Sequence, residues 1–199
     1  IVLNGLLLNV LSFEEGDPVE DLRSGFMEYI DMDTKEYDMS LNSSLMINMG
    51  NSSQQGQVSD YEASQAMMVQ CAAGAVDFIS SPLKPILDYG YGDMLVNLET
   101  ILSEEDLEKY KPYFLYVDLA VVNQKIEAAD NNQNANDIPC PDPTKPEEMK
   151  EPVAVMIDMS SCEKFAAIYG DSDETIAFGL ITSAPNEDML IKFIDYLMK

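Results

Sequence analysis

Gly74 divides the stretch that most constrains this chain. Ahead of it, Gln65-Ala-Met-Met-Val-Gln-Cys-Ala-Ala is a run of small and straight-chain helix formers; behind it, Val76-Asp-Phe-Ile-Ser is apolar but too short to be a helix. A glycine closing a helix and a brief apolar run after it read as helix, stop, buried strand. Ser81-Pro82, a short helical piece through Leu87, a Tyr89-Gly-Tyr-Gly turn and the phrase Leu95-Val-Asn-Leu follow. Helices alternating with short buried strands belong to α/β folds.

The same alternation continues on both sides. Leu6 to Ser12 reads as a first strand, ahead of the polar Glu14-Glu-Gly-Asp turn. Asp17-Pro18-Val19-Glu20 supplies an N-cap, a first-turn proline and a capping glutamate, so a helix is expected from Pro18 to Ile30. Tyr37 to Asn48 reads as a second strand, Asn48 to Ser59 as a surface loop, and a helix begins near Asp60 with Tyr61, Met68, Cys71 and Ala72 on one face. Met67 and Met68 read as core filler. Ser103-Glu-Glu-Asp106 caps a helix through Tyr110, stopped by Pro112. The aromatics Tyr110, Tyr113, Phe114 and Tyr116 read as a packing cluster. Residues 127–152 turn abruptly to Asn, Asp, Gln, Pro, Lys and Glu, and are expected to be loop. Val153 to Asp158 is a strand, Ser160 or Ser161 caps the helix after it with Ser160-x-x-Glu163 as a third capping box, and Thr175 to Thr182 is another strand. Asn186 caps a last helix that buries Leu190, Phe193, Ile194 and Leu197.

Composition removes several functions. The 199 residues carry 36 acids against 11 bases, a net charge of −25, which repels phosphate backbones and excludes nucleic acid as a partner. With no histidine, Ser-His-Asp and Cys-His catalysis are absent. No phosphate-binding glycine loop and no CxxC pair occur, so no cofactor, metal site or catalytic residue is assigned. Asp31-Met-Asp33 and Asp171-Ser-Asp173-Glu174 lack the rest of a calcium loop. Cys140 and Cys162 either pair in an oxidising compartment or remain two free thiols, while Cys71 is expected to be buried. The opening Ile-Val-Leu-Asn-Gly-Leu-Leu-Leu is what a chain continuing from a signal peptide or membrane anchor would show.

The order of helix, Gly74, Val76-Asp-Phe and strand resembles the first lobe of extracytoplasmic solute-binding proteins of the type II periplasmic-binding-protein fold. There a small-residue helix runs through an "aGxxDv" turn into a strand that ends at the ligand cleft. Leu98-Glu-Thr-Ile-Leu-Ser fits the phrase that precedes that family's crossing into its second lobe. Asn186-Glu and the helix ending Phe-Ile-Asp-Tyr-Leu resemble its return to the first. Where the family inserts the second lobe, this chain has only the polar stretch 127–152. The resemblance implies one domain over residues 1–199: a mixed, mostly parallel sheet of about five strands with helices on both faces, as in a single lobe.

In such a sheet the ligand lies beyond the carboxyl ends of the strands. On this reading those ends are Ser12 and Glu14, Ser80 and Ser81, and Asp158 and Ser160, whose hydroxyls and carboxylates would hold a small polar solute or serve only as caps and turns. The expected function is a non-catalytic extracytoplasmic binding domain, associated with transport and tethered near the membrane. A regulatory or interaction module that docks a membrane protein partner is the alternative. A lobe without its opposing wall also leaves a cleft face open to self-association into a homo-oligomer.

Overall fold

The computed structural model describes residues 1–11, 15–31, 35–47, 60–170, 173–182, 184 and 186–199. Six strands form one sheet in the order β2-β1-β3-β6-β5-β4. They are β1 (Val2–Leu7), β2 (Asp38–Asn42), β3 (Phe78–Pro82), β4 (Phe114–Asp118), β5 (Pro152–Asp158) and β6 (Ile176–Leu180). The helices are α1 (Pro18–Ile30), α2 (Asp60–Ala72), α3 (Leu83–Tyr91), α4 (Glu104–Tyr110), α5 (Leu119–Asp130), α6 (Glu163–Tyr169) and α7 (Glu187–Leu197). The α/β class and single lobe are as expected, with six strands in place of about five. β1, β2 and β3 are parallel, β6 and then β5 and β4 pair antiparallel, so four of the six strands point one way.

Two apolar layers flank the sheet. On one face α1, α6 and α7 close over Leu3, Leu7, Phe78, Phe178 and Ile157; on the other α2, α3 and α5 close over Leu6, Ile79, Met156 and Ala177. Rings link the first layer: Phe78 lies 5.0 Å from Phe178 and 4.9 Å from Phe193, and Phe26 lies 4.9 Å from Phe193. Gly5 faces Phe78 across the β1–β3 ladder, where a Cβ would come within 2.1 Å of the ring. A register shift in the β4–β5 ladder puts Val155 and Met156 into the same layer.

Several boundaries differ from the sequence reading. β1 ends at Leu7, well before Ser12, because Asn9 takes a left-handed backbone, φ 60°, and turns the chain. Its amide donates to the Ile47 carbonyl at 2.7 Å and accepts the Ile47 N–H at 2.6 Å, holding 43–47 beyond β2. On α2 the buried stripe is Ala63, Met67 and Cys71, spaced i, i+4, i+8, while Met68 is 54% exposed; the side chain of Tyr61 lies outside the described residues, as does the loop 48–59. Tyr89-Gly-Tyr is the end of α3, not a turn: Gly90 is buried where a Cβ would press on Val117.

The aromatic cluster contains β4, and α5 occupies 119–130, so only 131–151 of the polar stretch is non-helical connection with two short 3-10 turns. Cys140 is exposed, Cys162 is buried and donates to the Leu197 carbonyl, and neither these two nor buried Cys71 is in a disulfide. Among the described residues no helix is long and apolar enough to cross a membrane.

Candidate functional site

The carboxyl ends of β1, β2, β3 and β5 meet on one edge of the sheet, beside the amino ends of β4 and β6. β1 connects through α1 to β2 on one side, and β3 pairs with its other side, so the connection reverses between β1 and β3. Ligands of open α/β sheets gather at such a reversal.

The structure places Ser80 and Ser81 at this point. Ser80 aligns with Leu7, Phe178 and Ile157, and Ser81 with Ala177 and Asp158, so Ser81 and Asp158 share a row across three strands. Both serines are fully buried. The Ser81 hydroxyl donates to the Pro82 carbonyl at 2.7 Å. The Asp158 carboxylate accepts the Ser160 N–H at 2.8 Å and hydroxyl at 2.5 Å, and the Ser160 oxygen accepts the Ile176 N–H at 3.2 Å. Asp158 therefore takes the hydroxyl expected to cap α6. That helix starts at Glu163, with Cys162 at the cap position and no side-chain cap. Ser12 and Glu14 lie outside the described residues.

Ser80 differs from these neighbours. Its hydroxyl is the buried side-chain polar atom without a partner among the described residues. Its carbonyl is taken twice, by the Leu8 N–H at 2.8 Å and the Tyr169 hydroxyl at 2.9 Å. Burial pushes the Tyr169 hydroxyl above the usual tyrosine pKa range, against the lowering effect of its bond to Ser80. Tyr169 and Asn9 were not read from the sequence as edge residues. Asn9 lies two residues past the end of β1, inside what the sequence reads as strand, and its signal was that asparagine tolerates a left-handed turn.

A cavity of about 440 Å³ opens beside the end of β2, lined by Gly16, Asp17, Val19, Glu20, Arg23, Leu41 and Ser43. Asp17 caps α1 by accepting the Glu20 N–H at 3.1 Å. Arg23 is paired with Glu20 at 2.8 Å and with Asp38 at 3.0 Å. The lining thus carries carboxylates, one neutralised cation and a serine. Among the described residues no three acids or cysteines are grouped to hold a metal ion; Asp33 and Asp171 lie outside them.

The acid of the Gly74-x-x-Asp77 phrase sits at the opposite edge. Asp77 is fully buried, accepts the Asn4 N–H at 2.7 Å and takes the Asn186 amide at 3.3 Å and 3.4 Å. It ties β1 to the start of α7, and this draws the Asn186 side chain away from capping that helix.

Neither a family model nor a curated protein matches the chain. Among solved structures it is similar to the substrate binding domain of putative molybdenum ABC transporter from Clostridium difficile, at 13% identity and a TM-score of 0.37, over 100% of this chain and 92% of that one. A likeness at that level assigns no ligand and no residue.

Proposed function

We propose that the chain is a non-catalytic binding domain working outside the cytoplasm, built as one lobe of a transporter-associated solute-binding protein, and that it holds a small polar solute at the carboxyl edge of its sheet. One observation carries this reading: four strands deliver their carboxyl ends to one edge, and a polar-lined cavity of about 440 Å³ opens there. Ser160, oriented by Asp158, stands on the same edge outside the lining of that cavity and is a proposed contact there, with Ser12 and Glu14 as the further proposed contacts. Ser80 and Ser81 lie fully buried beneath that edge, the Ser81 hydroxyl held by the Pro82 carbonyl, and are proposed as the floor of the site. In this reading residues 1–199 form one domain and 127–152 stand in the place of a second lobe.

The exposure of Met68 (54%) and Val69 (68%) on α2 favours a second reading, a membrane-tethered module that docks a protein partner through that helix. Thermal unfolding against panels of sugars, amino acids, peptides and oxyanions separates the two. A solute at a hundred times its dissociation constant should add about 2.7 kcal/mol of stability. A saturable shift that Ser160→Ala weakens supports solute binding. No shift across the panels, with self-association or partner capture that Val69→Glu abolishes, supports docking instead.

A further inference from the structure

We draw no further inference here: the strongest candidate, the fully buried Ser80 hydroxyl left without a partner among the described residues at the carboxyl end of β3, belongs to the site already described, and nothing in the structure shows what would reach it.

Discussion

The Asp118 carboxylate at the end of β4 accepts the Glu151 N–H at 3.0 Å, although the two residues are separated by most of the chain's polar connection. The same carboxylate takes the Lys150 N–H at 2.9 Å and the Ala120 N–H at 3.0 Å. One buried acid therefore starts α5 and fastens the far end of 131–151 beside β5. Removing it leaves three N–H donors of partly buried bonds without their charged acceptor. Asp118→Ala should cost about 3 kcal/mol, the scale for bonds to a charged acceptor, and urea unfolding at neutral pH measures it.

The same group gives a pH dependence of definite sign. Burial raises the Asp118 pKa, but the N–H bonds from Lys150, Glu151 and Ala120 together outweigh it and hold the carboxyl below its usual value. A depressed folded-state value contributes stability that is fully present above the unfolded pKa and is lost as pH falls through the folded one. The gap between wild type and Asp118→Ala should therefore stay constant near neutrality and narrow in acid. Parallel denaturation series from neutral pH downward test this; a gap that widens on acidification contradicts the assignment.

Ser80 and Tyr169 should respond in opposite ways. Tyr169→Phe deletes a donor to the Ser80 carbonyl and should cost about 1 kcal/mol. Ser80→Ala deletes a buried hydroxyl that has no partner among the described residues, so stability should be unchanged or rise by up to about 1 kcal/mol. Chemical denaturation of both variants decides the point. A loss from Ser80→Ala as large as that from Tyr169→Phe would mean that the hydroxyl is satisfied after all.

What was legible in the sequence depended on local signals. α1 was readable to its ends because Asp17-Pro18 fixes the start and Asp17 caps it, although the Glu20 carboxylate pairs with Arg23 in place of the expected capping role. Ser103 likewise caps α4 by accepting the Asp106 N–H. β4 was hidden because it is buried on both faces, which erases the alternation that marks a half-buried strand. α5 was hidden because only Val122 and Ala128 are buried along it, too few to show a helical stripe. At the site, the sequence located Ser80, Ser81, Asp158 and Ser160 near one edge. It could not show that Asp158 spends its carboxylate on Ser160, since Ser160-x-x-Glu163 has the same letters as a working cap.

Thiol chemistry should follow burial. Cys140 is exposed, whereas Cys71 and Cys162 are buried, and burial pushes the Cys71 thiol up to about 11. A thiol reagent at neutral pH should modify one cysteine quickly in the native protein and the remaining two only after denaturant is added. Cys140→Ser should remove the fast phase. Rapid labelling of two sites would show that one of the buried thiols opens to solvent.

Gly5 and Gly25 separate a rigid close approach from a yielding one. Alanine is ordinarily preferred to glycine in strands and helices by roughly 0.5–1 kcal/mol, so each substitution begins with a favourable term. At Gly5 the new Cβ meets the Phe78 ring at 2.1 Å, and that ring is fully buried between Phe178 and Phe193 with nowhere to go. Overpacking should win, and Gly5→Ala should destabilise by about 3 kcal/mol. At Gly25 the Cβ meets the Tyr196 hydroxyl at 2.3 Å, the far end of a half-buried side chain whose ring also packs on Phe26, Tyr29 and Phe193, so relief needs only a small tilt of that ring. Gly25→Ala should therefore stay within about 1 kcal/mol of wild type. Shortening the obstacle provides the check: Gly5→Ala combined with Phe78→Leu should cost less than the sum of the two single changes, whereas strict additivity in a double-mutant cycle would show that Gly5 is not kept small by that ring.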